Sequence, residues 1–277
     1  MLTLVTYDHP SPGQLSVIFK LIDTKTGLKY GSKILNPLKY FGDYLRALYN
    51  RWRHELSKYT IHIKYTDMYI TKVANIPKIE KAAEKHRKEL EQFENDLKRF
   101  LIEGKIDKLY YRKSSRRNVW RDIEQVLKYV EEARRIIEEN EKISWKAYVS
   151  RIVSKNIAER FKVFYLPMLP REIAEKYLPD RSLADLFERQ RETMIELVKA
   201  SIREEVRDLR QLLKKLEREY MNNPILITGK IRSEIMRIIR KIEDSGLGEE
   251  MQDITKKLEE IARENSIDMI ETKIDLL

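Results

Sequence analysis

A mainly α-helical fold is expected from the sequence: an elongated helical domain with a small N-terminal antiparallel β-sheet and a protruding antiparallel coiled-coil hairpin. Three features carry that expectation. The 277 residues hold 36% charged and 42% hydrophobic side chains but only 8 Gly and 8 Pro. That is too few turn formers for an all-β chain, and the Lys, Glu, Arg, Leu and Ile bias favours helices. Two segments carry apolar positions in alternating steps of four and three, the 3.5-residue repeat of a coiled-coil seam. The stretch from Asp180 to Asn223 contains neither Gly nor Pro, so nothing in it stops a helix.

From the N-terminus, Leu2–Tyr7 is a β-prone run and Pro10-Ser11-Pro12-Gly13 a turn cluster. Gln14–Ile22, rich in Val, Ile, Leu and Phe, reads as a second strand. Asp23–Gly27 reads as a hairpin turn and Leu28–Tyr30 as the return. Asn36-Pro37 pairs an N-cap side chain with a proline whose missing N–H costs nothing, so a helix is expected to about Lys58. It carries Leu38, Phe41, Leu45, Leu48, Tyr49, Trp52 and Leu56 at helical spacing. Residues 60–73 return to alternation, with Ile61, Ile63 and Tyr65 on one face, and read as a short hairpin.

The first heptad segment opens at Asn75-Ile76-Pro77, and its seam is Ile79, Ala83, His86, Leu90, Phe93, Leu97 and Phe100. The second has Val119, Ile123, Val126, Val130, Ala133 and Ile137. Folded back on each other, they form the hairpin, with arms roughly 30–40 Å long at 1.5 Å per residue. Pairing with another chain is the alternative. Leu166-Pro167-Met168-Leu169-Pro170 then breaks the chain before a short helix at Arg171–Leu178. The long helix after Pro179 has the stripe Leu183, Phe187, Gln190, Met194, Val198, Ile202, Val206, Leu209, Leu213, Leu216, Tyr220 and stops at Asn222-Asn223-Pro224. A helix from Thr228 or Gly229 to about Asp244, a turn at Ser245–Gly248, and a last helix at Glu249–Glu264 complete the chain. Along the chain this divides into a small α+β region at 1–74, the hairpin at 75–141 and a helical body at 142–277 with an acidic end. Together they read as one domain.

Net charge is +10, with 55 Lys and Arg against 45 Asp and Glu. A basic balance favours polyanions. The excess is concentrated. Residues 105–121 hold Lys105, Lys108, Arg112, Lys113, Arg116, Arg117 and Arg121 against Asp107, with Tyr110, Tyr111 and Trp120 interleaved. Cations there neutralise phosphates and release counterions, and the rings can stack on unpaired bases. The bland alternative is a solvated turn. A second block, 142–171, holds Lys142, Lys146, Arg151, Lys155, Arg160, Lys162 and Arg171 against Glu159. Its aromatics, Trp145, Tyr148, Phe161, Phe164 and Tyr165, read more readily as core.

Other chemistry finds little footing. The absence of Cys excludes disulfides and thiolate metal sites. His9, His54, His62 and His86 stand at no metal-ligand spacing, and His86 sits on a seam, a structural position. His54-Glu55 lacks a second histidine at Lys58. Gly31-Ser32-Lys33 and Thr228-Gly229-Lys230 do not complete a phosphate-binding loop. No catalytic residue, cofactor or metal is expected. No apolar run approaches the ~20 residues of a membrane span. The start, MLTLVTYDHPSPG, has no basic region followed by an apolar run. A cytoplasmic location without membrane contact is therefore expected. The lack of Cys with abundant Lys, Glu, Arg and Ile points to a thermophilic source.

Gly31, Lys33 and Pro37, followed by a helix, a β-like stretch, a long charged helical pair and a C-terminal set of Leu-, Arg- and Glu-rich helices, set the order of elements from Tyr30 to about Arg263. This order resembles an uncharacterised helical family of plasmids, phages and prokaryotes, often encoded beside MoxR-type AAA+ ATPases. The resemblance implies a mobile-element origin and an ATPase partner, but no activity and no catalytic residues. The expectation is a non-enzymatic DNA- or RNA-binding protein of a thermophilic archaeal virus or plasmid, acting through the basic aromatic tip and able to form homo-oligomers. The alternative is a helical scaffold or adaptor, an ATPase accessory or virion component, without direct nucleic-acid binding.

Overall fold

The computed structural model describes residues 1–28, 39–64, 66–105, 118–141, 143–177, 181–221 and 223–277. Ten α-helices and four short strands make up the described residues, so the fold is mainly α with one small sheet. They fall into two compact units. The sheet unit comprises Met1–Thr6, Glu55–Glu80 and Phe164–Leu277; the helical unit comprises Tyr7–His54 and Lys81–Val163.

The strands are β1 (Leu2–Asp8), β2 (Ile61–His62), β3 (Tyr69–Lys72) and β4 (Lys162–Met168), in the sheet order β2-β3-β1-β4. β3 pairs antiparallel with β1, Leu2 facing Lys72 and Val5 facing Tyr69, and antiparallel with β2, Ile61 facing Ile70. The expected strand at Leu2–Tyr7 and hairpin at 60–73 are both present. β4 goes beyond the sequence expectation, which has only a helix breaker at Leu166–Pro170. The β-branched and aromatic residues at 163–165 suit a pleated strand.

The helices of the sheet unit are α6 (Arg171–Tyr177), α7 (Arg181–Glu219), α8 (Pro224–Ser245), α9 (Gln252–Arg263) and α10 (Ile267–Asp275). α7 runs unbroken through Gln190 and Ser201, as the lack of breakers predicts. Its stripe Val198, Ile202, Val206, Leu209, Leu213 and Leu216 is buried in one core with Ile231, Ile235, Ile238 and Ile242 of α8, Leu258 and Ile261 of α9, and Ile270 and Ile274 of α10. Leu2, Ile61, Ile63 and Ile70 of the sheet region join that core. Each fully buried aliphatic side chain contributes roughly 1.5–3 kcal/mol. Polar ties lie at the margins. Burial opposes ionisation of Glu205, but Lys241 (2.7 Å) and Arg237 (3.1 Å) outweigh it and hold the carboxyl below its ordinary range.

α8 begins at Pro224, not at Thr228 or Gly229. Asn223 Oδ1 accepts from the Leu226 N–H at 3.1 Å and proline takes the first turn, so Gly229 falls inside the helix. α8 ends at Gly246 with φ +82°, where Gly246 and Leu247 N–H donate to the Glu243 and Ile242 carbonyls. A Cβ there would lie 1.7 Å from Lys72 Cε, so only glycine fits without displacing that side chain. The expected last helix at Glu249–Glu264 is present as α9, and after extended residues at Glu264 and Ser266 a further helix, α10, follows that the sequence expectation lacks.

The helical unit contains α1 (Gly13–Thr26), α4 (Asn118–Glu141) and α5 (Trp145–Asn156), most of α2 (Lys39–Ser57) and α3 (Ile76–Glu103), and a 3-10 turn at Ala158–Arg160. The expected strand at Gln14–Ile22 is instead α1. Its buried residues are Leu15, Ile18, Phe19 and Ile22, an i, i+3, i+4, i+7 pattern that outweighs its β-prone composition. Asp23–Gly27 is the last turn and cap of α1, with Gly27 at φ +75°, rather than a hairpin. The helix expected after Asn36-Pro37 is present as α2; Asn36-Pro37 itself lies outside the described residues.

Both hairpin arms exist as helices, α3 and α4, with the predicted seam residues from Ile79 to Phe100 and from Ile123 to Ile137 buried. The seams are not reserved for each other. Phe93 and Phe100 of α3 meet Phe41 of α2 at 5.9 and 5.6 Å between ring centroids, and His86 stacks on Trp52 at 5.5 Å. α4 packs on α1, where Tyr129 lies 6.0 Å from Phe19 and its hydroxyl donates to Asp23 at 2.5 Å. A two-helix hairpin buries only one narrow stripe. These helices also carry the apolar faces needed to cover α1, α2 and α5.

Asn75, between β3 and α3, ties the sheet unit together. Its buried Nδ2 donates to Asp244 O at 2.7 Å and Thr71 Oγ1 at 3.1 Å, with Tyr59 O at 3.3 Å. Asn75→Ala leaves these acceptors short of a donor and is expected to cost about 1–3 kcal/mol. Urea denaturation should show a lower midpoint with an unchanged slope.

Candidate nucleic-acid interface

Of the basic tip, Lys108, Tyr110, Tyr111, Arg112, Lys113, Arg116 and Arg117 lie outside the described residues. Lys105 is exposed just past α3, its Nζ 3.2 Å from Glu103 Oε2. Trp120 and Arg121 belong to the first turn of α4.

The partition into units sorts the charge. The helical unit holds 30 Lys and Arg against 18 Asp and Glu, net +12; the sheet unit holds the remaining 25 against 27, net −2. By sequence, the whole positive balance of the protein therefore falls in the stretches that make up the helical unit, which include 105–121 and residues 142–163 of the second block.

The second basic block is well described. Ser144 caps α5 by accepting from the Ala147 N–H at 3.3 Å. The inner face of α5 is Trp145, Tyr148, Val149, Ile152, Val153 and Asn156. Helical periodicity then turns Arg151 and Lys155, one turn apart, to the solvent face. After the 3-10 turn, Phe161 is extended and buried at 3% exposure, so its neighbours Arg160 and Lys162 point outward. Lys146, Arg151, Lys155, Arg160 and Lys162 are all exposed, and none has a carboxylate within ion-pair distance among the described residues. Elsewhere, acids one turn away neutralise such cations, as in Lys88–Glu84 and Arg134–Glu138.

The aromatics of this block divide as their environment dictates. Trp145 is 1% exposed and its indole N–H donates to Leu101 O at 2.9 Å; the Tyr148 hydroxyl donates to Leu21 O at 3.0 Å. Trp145, Tyr148 and Phe161 are core, as their composition favours, while Phe164 on β4 is 44% exposed.

Two other polar clusters lie inside the helical unit. In the first, Glu94 of α3 is buried and accepts from Lys98 Nζ (2.5 Å), Ser154 Oγ (2.6 Å) and the Ala158 N–H (3.2 Å), while Lys98 Nζ also donates to Ser154 Oγ at 2.8 Å. A Ser–Lys contact is a nucleophile pattern only when the amine is free to accept a proton. Here the carboxylate engages both partners, and the cluster fastens α3 to α5.

The second is a pair of histidines. Nothing in the order of residues links His9 to His86, 77 positions apart, yet their Nε2 atoms lie 2.9 Å apart. His9 Nδ1 is 2.7 Å from the Pro10 carbonyl, which can only accept. That places the His9 proton on Nδ1, and His9 Nε2 accepts from His86 Nε2–H. Tyr49, Trp52 and Phe161 enclose the pair, and Arg51 and Glu89, 3.6 Å apart, lie at its edge, with Glu89 Oε2 3.9 Å from His86 Nδ1. Among the described residues no group of three His, Asp or Glu side chains could hold a metal. Burial pushes His9 down to about 4 against its hydrogen bond to Pro10; burial, with His9 and Arg51, pushes His86 down to about 3.

Between those values and the ordinary 6.5, the unfolded chain binds more protons than the folded one. The stabilisation is therefore complete above about pH 6.5 and is lost as pH falls towards 4, by up to about 1.4 kcal/mol per pH unit for each imidazole. Urea midpoints from pH 7 to 4.5 should show this slope. A His9→Phe/His86→Leu variant should lack it.

No family profile, curated protein or solved structure matches this chain.

Proposed function

We propose that this protein binds nucleic acid without catalysing a reaction on it, through the cationic surface of its helical unit. The observation that carries this reading is the +12 charge of that unit set against −2 for the sheet unit. Charge placed only for solubility has no reason to follow the division into compact units. A field of one sign raises the local concentration of a polyanion and steers its approach. The strongest concentration of charge is the segment 105–121, whose Tyr110, Tyr111 and Trp120 add stacking capacity for unpaired bases. The resemblance to the mobile-element family fits a genome-associated role in a virus or plasmid, with an ATPase as a further partner.

A second reading, the scaffold or adaptor, is favoured by the turn between α7 and α8. Met221 and Ile225 there are 81% and 84% exposed, and Leu226 is 38% exposed. Apolar side chains grouped at one corner are a common mark of protein contacts.

Charge reversal of Arg112, Lys113, Arg116 and Arg117 to Glu separates the two readings. It changes the local charge by −8, counting two per site. Fluorescence anisotropy with a duplex of roughly 20 base pairs should show binding weakened by more than about tenfold, with a flatter dependence on salt. The melting temperature should hold, since these four residues lie outside both predicted heptad seams. Unchanged affinity in a folded variant overturns the role of the tip. A wild-type protein that binds no nucleic acid at low salt, yet forms a defined oligomer in native mass spectrometry, overturns the reading in favour of the scaffold.

A further inference from the structure

We infer that the outer face of α5 and the turn after it, through Arg151, Lys155, Arg160 and Lys162, form a second phosphate-contact surface that follows the nucleic-acid backbone without stacking on bases. This surface rests on the nucleic-acid reading and adds to it a location and a mode of contact.

Arg151 and Lys155 are four residues apart on an exposed helical face, which places their Cβ atoms about 6 Å from each other. Ala147, one turn before Arg151, is small and exposed, so nothing bulky on that line keeps a rod-like ligand away. Arg160 and Lys162 continue the series past the end of α5. Their direction is fixed by Phe161, whose ring is clamped edge-on against Trp52 at 5.1 Å and His86 at 4.9 Å. The Phe161 N–H donates to Ala158 O at 3.2 Å, closing the turn beneath them. The cations therefore sit on a rigid backbone, and binding need not order a loop.

The electrostatics favour the same ligand. Between residues 143 and 170, Glu159 is the sole acid. The four side chains have no carboxylate partner among the described residues, so a phosphate displaces only water and counterions, not an existing ion pair. Arg151 and Arg160 add a planar fork that matches phosphate oxygens.

The aromatics settle the mode. Trp145, Tyr148 and Phe161 are at most 5% exposed. Single-strand readers present rings on which bases stack; from Arg151 to Lys162 the one ring, Phe161, is buried, and the exposed Phe164 follows only two residues past Lys162. What the four cations offer is backbone contact, equally suited to duplex and single strand and blind to sequence.

The test is Arg151→Gln/Lys155→Gln/Arg160→Gln/Lys162→Gln in the full chain, beside the two pairwise variants 151/155 and 160/162. Anisotropy is read at two salt concentrations with a duplex of roughly 20 base pairs and a single strand of the same length. Each phosphate no longer neutralised takes about 0.9 off the duplex salt slope, so the quadruple variant is expected to drop by about three to four units and each pair by about half of that. Affinity should fall for both ligands. An unchanged slope in variants that keep the wild-type melting temperature overturns the inference. So does a fall confined to the single strand, which marks stacking. So does undiminished nucleic-acid binding together with abolished binding to phosphatidylserine vesicles, which assigns the face to a membrane surface. If the tip variant no longer binds while these variants do, the proposed function stands and this inference falls. If the wild type binds neither nucleic acid, both fall.

Discussion

The helical unit depends on one contact, the stack of His86 on Trp52. Segments far apart in the chain converge on it: Tyr7 and His9 from the start, Tyr49 and Trp52 from α2, His86 from α3, and Phe161 from the turn after α5. Ring pairs at these separations add about 0.5–1.5 kcal/mol each beyond burial. Their directional value is larger. Edge-to-face and stacked geometries admit few arrangements, so the cluster fixes the angle at which each segment arrives. The imidazole pair belongs to the same device: uncharged, it can share a hydrogen bond inside an apolar cage, and a cation there would lose its water while its nearest carboxylate, Glu89 at 3.9 Å from His86 Nδ1, is engaged by Arg51. Trp52 Nε1 has no acceptor among the described residues, so the cluster holds despite one unpaired donor.

The surface follows from that core. Phe161 turned inward leaves Arg160 and Lys162 no direction but outward, and the inner face of α5 does the same for Arg151 and Lys155. A buried cluster of rings thereby presents a series of unneutralised cations. The sheet unit is organised by another rule. Its core is aliphatic, built from the Ile- and Leu-rich stripes of α7, α8, α9 and α10, and its charges close on one another. Arg210 reaches Glu271 at 3.1 Å and Asp275 at 3.3 Å, and Glu205 receives both Lys241 and Arg237. Charge satisfied within a unit has little left for a ligand, and the near-neutral balance of the sheet unit reflects that.

Helix existence and extent are legible in the sequence because they depend on local periodicity and on breakers. The α7 stripe, the α3 and α4 seams, the Asn223-Pro224 boundary and the strands at 2–7 and 60–73 all show in the order of residues. Expectation and structure part where composition and period disagree. Val17, Ile18 and Phe19 are β-prone residues, yet the spacing of Leu15, Ile18, Phe19 and Ile22 is helical, and burial of a helical face decides the outcome. At 162–168 a proline masks a strand, since proline is tolerated where no ladder hydrogen bond is required of its nitrogen.

The helical class, the long uninterrupted α7, the net positive charge and the two basic segments are all set by the order of residues, because each is a property of neighbours along the chain. Four further properties had to wait for the packed molecule: what the seams face, which aromatics of the second basic block are core, that His9 meets His86, and that the positive balance belongs to one compact unit. These depend on residues tens of positions apart. A heptad states that a face will be buried but not what will bury it. Two histidines 77 residues apart carry no shared signal until the fold brings their rings together.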